Sequence, residues 1–144
     1  MSKMLEVNIQ TVNDKIKFAC RAENKPEIIT DFYPPIGGGE GYTSLELLLT
    51  SLSTCVTTTL LLALRGRMKK SVSSASAKAT GRMRDEHPRI LDEITLEITL
   101  VSSDLARSEV DIALAAVEQQ ICPVWAMLKG NTRIEVKYVI QAEN

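Results

Sequence analysis

Hydrophobic and polar positions alternate at the start of the chain. Leu5, Val7 and Ile9 interleave with Glu6, Asn8 and Gln10, and Ile16, Phe18 and Cys20 interleave with Lys15, Lys17, Ala19 and Arg21. Asn13-Asp14 separates the two runs as a turn, and a third short run, Ile28 to Phe32, follows Pro26. A period of two rich in β-branched residues predicts three half-buried strands, with Cys20 on the apolar side and Arg21 on the polar side. The next stretch, Tyr33 to Gly41, holds two prolines and four glycines and predicts a loop. It lacks the Lys-Ser/Thr ending of a phosphate-binding P-loop.

The period then changes to that of a helix. Leu45, Leu48, Leu49, Leu52, Val56, Leu60 and Ala63 recur at helical spacing, opened by Thr43-Ser44-Leu45-Glu46 in the form of a capping box. The run Arg65-Gly66-Arg67-Met68-Lys69-Lys70 supplies cations where the last carbonyls of a helix carry partial negative charge. At 1.5 Å per residue such a helix is about 36 Å long, enough to cross most of a domain of this size. From Leu47 to Leu64 it has no charged residue, and Ser51, Ser53, Thr54, Thr57 and Thr58 occupy much of its second side. A helix without charge is poorly suited to a solvent face. The expectation is that a second copy of the chain covers it, as a two-fold homodimer.

Ala75, Ala77 and Ala79 alternate with polar residues and predict a strand with a small-residue face. Arg84 to Arg89 reads as a hairpin tip, and Ile94, Leu96, Ile98 and Leu100 as the returning strand. Ser108-x-x-Asp111 resembles a second capping sequence ahead of the stripe Val110, Leu114, Val117, Ile121. Pro123 breaks that helix and suits the first position of a short one, Val124 to Lys129, which Gly130-Asn131 ends. Ile134, Val136 and Tyr138 form a last strand. The order βββ, long α, ββ, broken α, β with antiparallel hairpins indicates an α+β fold, with residues 1–144 as one domain.

Composition narrows the function. The chain has 144 residues, 44% hydrophobic and 24% charged, which is ordinary for a globular protein. Seventeen Lys and Arg against eighteen Asp and Glu leave a net charge of −1, which argues against a dedicated nucleic-acid binder or a polybasic membrane-surface binder. The window Leu45 to Leu64 contains Glu46 and seven Ser or Thr residues, polar for a membrane span. No apolar run stands at Met1 to Glu6, so no signal peptide is expected. A cytoplasmic location follows as the expectation.

Chemistry is confined to the thiols. Cys20, Cys55 and Cys122 are too few and too odd in number for a secreted disulfide framework. Taken by themselves, Cys20 reads as core, and Cys55, on the stripe Leu48, Leu52, Cys55, Thr59, as a small buried hydrophobe. Cys122, just before Pro123, falls at the N-cap of the short helix. The dipole end there favours thiolate, although an unreactive cap cysteine fits the same position. No metal site is expected, because there is no Cys-x-x-Cys and His87, the sole histidine, lies in the hairpin tip.

Two segments resemble a known family. Gly37-Gly-Gly-Glu-Gly-Tyr-Thr-Ser-Leu-Glu-Leu-Leu-Leu-Thr-Ser-Leu-Ser-Thr-Cys55 is similar to the glycine loop, helix start and helix cysteine of the OsmC/Ohr family, the osmotically induced and organic hydroperoxide resistance proteins. Ile121-Cys122-Pro123-Val124 resembles that family's second motif, and the element order agrees. The resemblance implies an intertwined homodimer in which antiparallel sheets wrap around long central helices. It implies a peroxidatic Cys55 and a resolving Cys122 that form a disulfide during turnover, with no cofactor and an external lipoyl-type dithiol as reductant. It also implies an arginine, for which Arg21 is the nearest candidate, held by a glutamate at the helix start, for which the candidate is Glu46. On their own residues, Arg21 reads rather as a solvated strand position and Glu46 as half of the capping box.

The expected function is therefore reduction of organic hydroperoxides by a cysteine-based peroxidase. The alternative is a non-catalytic dimer of the same fold that binds an apolar small molecule or senses redox state.

Overall fold

The computed structural model describes residues 3–144. Met1 and Ser2, part of the N-terminal stretch read above, lie outside the described residues. The chain divides into two compact units, one up to Leu48 and one from Leu49 to Asn144.

The first unit holds an antiparallel sheet of β1 (Asn8–Thr11), β2 (Phe18–Arg21) and β3 (Ile28–Thr30), in that order. Ile9 pairs with Cys20, and Cys20 with Ile28, so these three share one face. That face is not the covered one. Ala19, on the opposite face of β2, is buried, whereas Phe18 and Cys20 are half-buried and Ile9 and Ile28 are exposed. The reading of Cys20 as core is thereby corrected. Alternation marks two faces but does not say which one receives a neighbour.

The glycine loop that follows is organised by one carboxylate. Asp31 is buried and accepts backbone N–H groups from Phe32 at 2.8 Å, Gly38 at 3.2 Å and Glu40 at 3.1 Å. These bonds, that from Phe32 foremost, hold its pKa below the usual carboxylate value. Gly37 lies so close to this carboxylate that a Cβ there would collide with Asp31 Oδ1 and the Phe32 carbonyl. Gly39 has φ +69°, a conformation glycine adopts without steric cost.

The helix α1 (Ser44–Leu61) opens as its sequence predicts. Thr43 N–H donates to Glu46 Oε1 at 2.8 Å, and Glu46 N–H donates to Thr43 Oγ1 at 3.2 Å, the two halves of a capping box. The helix crosses from the first unit into the second and continues as a π-helical segment, Leu62–Arg67. Its end is closed by Lys70 N–H donating to the Leu64 carbonyl at 2.9 Å, with Lys69 at φ 57°.

By length and composition Ser44–Arg67 would suffice to cross a membrane, with mean hydropathy 1.9 over its most apolar window. Its hydroxyls are less polar in place than on paper. Ser53, Thr54 and Thr59 donate to the carbonyls of Leu49, Thr50 and Cys55, one turn back. Leu52, Val56, Leu60 and Leu64 are fully buried, so this helix supplies protein core.

The second unit completes that core with a sheet of β4 (Val72–Met83), β5 (Leu91–Ser102) and β6 (Arg133–Ala142), in that order. Ile94, Leu96, Ile98 and Leu100 alternate along the central strand and are buried. The small-residue face of β4 permits close approach, since a Cβ at Gly81 would stand 3.3 Å from Leu49 of α1. β4 and β5 are antiparallel, but β5 and β6 are parallel, which corrects the expectation of purely antiparallel sheets. The cause is the connection. The helical crossover from β5 to β6 carries the chain back to its starting end, as a parallel pair requires. Within it α2 (Arg107–Ala116) begins at Ala106 rather than Ser108, and Glu109 Oε1 accepts the Ala106 N–H at 2.8 Å. The architecture is α+β, with two small sheets and helices.

Candidate functional site

Cys122 is positioned by a break in the second helical region. After α2 the chain widens into a π-helical segment, Val117–Ile121, and Cys122 N–H donates to the Val117 carbonyl five residues back at 3.0 Å. Pro123 stops the helix because it offers no N–H and disfavours helical backbone in the residue before it. Cys122 is accordingly extended, at φ −81° and ψ 108°, and serves as N-cap of α3 (Pro123–Leu128). π-Helical turns inside helices recur at functional sites.

Cys55 lies on the fourth turn of α1. The two sulfurs stand 2.9 Å apart, with Cys122 Sγ as donor and Cys55 Sγ as acceptor. Both residues belong to the second unit and both are free thiols, separated by 67 positions in the chain. They are not equivalent. Cys122 is 2% exposed, whereas Cys55 is half-buried.

The environment assigns the proton. Burial pushes the Cys122 thiol up to about 11, and its hydrogen bond to Cys55 adds to the rise. The backbone N–H groups of Trp125 and Val124, at the start of α3, pull the other way and do not prevail. The expectation that the cap position favours thiolate at Cys122 is thus corrected, because desolvation outweighs the N-terminal donors. At neutral pH Cys122 keeps its proton and directs it at Cys55.

The other candidates have local partners. Arg21 pairs with Glu27 at 2.6 Å, within the first unit, on the exposed end of β2. Glu46 occupies the capping box of α1, which holds its pKa below the usual carboxylate value through the Thr43 N–H. Cys20 lies in the first unit, with its sulfur 4.0 Å from Thr30 Oγ1. His87 is exposed in the turn between β4 and β5. Among the described residues, no group of three or more His, Cys, Asp or Glu side chains could hold a metal ion. Asp31 escaped the sequence reading, and the only trace of it there is an acidic residue ahead of the glycine loop.

A mixed fold with a dithiol pair between a long helix and a helix break defines a class, and comparison places the chain within it. The family profile described as OsmC-like protein matches residues 37–137, and the chain belongs to that family. A hypothetical protein from Aquifex aeolicus VF5 superimposes with a TM-score of 0.85 at 22% identity, over 99% of this chain and 100% of the other. An OsmC-like protein from Mycoplasma pneumoniae gives 0.79 at 19%, over the whole of both chains. An organic hydroperoxide resistance protein of Bacillus subtilis gives 0.64 at 11%, over 95% and 98%. At these identities the likenesses speak for the fold. A search of curated proteins found no match.

Proposed function

We propose that this protein is a thiol-dependent peroxidase that reduces organic hydroperoxides, with Cys55 peroxidatic and Cys122 resolving. The observation that carries the reading is the 2.9 Å separation of two free thiols of unequal exposure. Cys55, the more accessible sulfur, attacks the distal peroxide oxygen as thiolate. The O–O bond breaks, the alkoxide takes a proton and leaves as alcohol, and Cys55 becomes a sulfenic acid. The Cys122 sulfur then displaces the hydroxyl, which leaves as water with the Cys122 proton, and a disulfide forms. Reaching an S–S bond of about 2.05 Å asks for less than 1 Å of closure. An external dithiol, of lipoyl type in our reading, restores both thiols.

The assignment rests on the two sulfurs. Arg21 and Glu46 enter it as auxiliary residues by resemblance alone, since each has a partner of its own. The uncharged hydroxyl-rich side of α1 supports a homodimer, and the sparse thiols support a cytoplasmic setting. The engagement of Arg21 with Glu27 and of Glu46 with Thr43 favours, as second reading, a redox sensor or apolar-ligand binder with slow turnover.

The test is one equivalent of cumene hydroperoxide followed by intact and peptide mass. The peroxidase reading expects rapid loss of two hydrogens and a linked Cys55–Cys122 peptide. Slow, scattered oxidation with tight binding of an apolar ligand would favour the second reading.

A further inference from the structure

A disulfide between Cys55 and Cys122 offers a reductant two sulfurs, and the two differ in access. Cys55 is half-buried, whereas Cys122 is 2% exposed. Closing the sulfurs from 2.9 Å to about 2.05 Å leaves that inequality in place.

Two effects oppose each other in the choice. Exchange depends on which sulfur a thiolate can reach, and it runs faster when the displaced thiol has a low pKa. Leaving-group chemistry disfavours displacement of Cys122. Burial raises its thiol from 9.0 to about 11, and the Trp125 and Val124 N–H groups offset the rise only in part. At no more than about tenfold in rate per unit of thiol pKa, the handicap stays below about a hundredfold. Access is the stronger constraint. The attacking sulfur comes in line with the S–S bond, from the side away from the sulfur it displaces. Attack at Cys122 thus needs room behind a buried residue whose chain neighbours Val117 and Trp125 are buried too. Attack at Cys55 meets a residue already partly open to solvent.

We infer that the external reductant bonds to Cys55 and that Cys122 is the sulfur it displaces. This deepens the peroxidase reading, on which it rests, by giving the reductant the same sulfur that meets the peroxide. A bond forms between the reductant sulfur and Cys55 Sγ, and the Cys55–Cys122 bond breaks. Cys122 takes the electron pair of that bond and the proton lost by the attacking thiol. Cys122 is thereby reduced, and the reductant is oxidised to the mixed disulfide. The second thiol of a dithiol then closes on the first, and Cys55 leaves as the free thiol.

The experiment forms the disulfide in the full chain with diamide, which needs no peroxide. Glutathione is added, and samples taken over time are quenched in acid, alkylated with N-ethylmaleimide and mapped by peptide mass. Glutathione is expected on Cys55, roughly tenfold or more over Cys122, with the maleimide on Cys122. An adduct on Cys122, or one split evenly, overturns the inference. So does a disulfide that glutathione opens only in urea, and so does failure of diamide to link the two cysteines. A second arm treats the reduced variants with dithiobis-nitrobenzoate. Cys55 in Cys122→Ser should react promptly, while Cys122 in Cys55→Ser waits for urea. Equal rates in the two folded variants overturn the inference. A Cys55 adduct in a protein that no hydroperoxide oxidises sustains the attack site while the peroxidase reading falls. Rapid oxidation by cumene hydroperoxide followed by an adduct on Cys122 does the reverse.

Discussion

The Cys122 thiol donates to the Cys55 sulfur across 2.9 Å, and it is the buried member of the pair that keeps the proton. Burial thereby makes two chemically identical groups unequal, with Cys55 the more accessible sulfur and Cys122 the buried one whose pKa is raised. The proton on Cys122 is the one that the hydroxyl of a sulfenic acid at Cys55 must acquire to leave as water. In the proposed peroxidase cycle, one geometry thus serves both halves.

The first prediction separates the two sulfurs. Cys122→Ser should halt the cycle at Cys55 sulfenic acid, trapped by dimedone after one equivalent of peroxide and located by peptide mass. Cys55→Ser should abolish the stoichiometric reaction. Full peroxide turnover by Cys55→Ser would reverse the assignment.

The second concerns alkaline pH. The folded-state pKa of Cys122, about 11, lies above the ordinary thiol value of 9.0. The folded form therefore holds this proton more tightly than the unfolded chain. The resulting stability is fully present below pH 9 and declines as pH rises from about 9 to about 11. The reduced protein should lose melting temperature over that window, and Cys122→Ala should lose it less steeply. Parallel slopes for the two proteins would place the alkaline transition on other groups.

The third concerns Asp31, whose single carboxylate ties down Phe32, Gly38 and Glu40. Asp31→Ala should release the loop, seen as faster hydrogen exchange at Gly38 and Glu40 and as cleavage between Tyr33 and Gly41 in limited proteolysis. Because its folded pKa is lowered, the stability it gives is present above the unfolded value and is lost as pH falls through the folded one, below 3.8. Unchanged exchange at both amides in Asp31→Ala would show that backbone contacts alone hold the loop.

What the chain discloses by itself divides along a physical line. The start of α1 was legible because a capping box is closed by residues three apart, Thr43 and Glu46. The break at Cys122 was legible because Pro123 acts on its own neighbours. The covered face of β2 was not, since Ala19 is chosen by what packs on it and not by its period. The parallel direction of β6 depends on where a crossover of some thirty residues returns, which no local signal records. Asp31 acts on backbone N–H groups seven and nine residues ahead, and any sequence supplies those. The meeting of Cys55 and Cys122 came from family resemblance, and the coordinates supply the distance.

The last prediction separates the two roles open to Glu46. Thr43→Ala removes one half of the capping box and should cost about 1 kcal/mol, the ordinary value for loss of an N-cap side chain. Glu46→Gln keeps an oxygen that can accept the Thr43 N–H but discards the charge. If Glu46 only caps the helix, Glu46→Gln melts no lower than Thr43→Ala, and both oxidise at the rate of the unaltered protein. If the charge also positions a cation for the thiol, Glu46→Gln slows oxidation while Thr43→Ala does not. Stopped-flow measurement of intrinsic fluorescence, with Trp125 three residues beyond Cys122, provides the rate, and thermal melts of the same samples provide the stability. Since the carboxylate already accepts the Thr43 N–H at 2.8 Å, the expected outcome is the first: a stability effect without a rate effect.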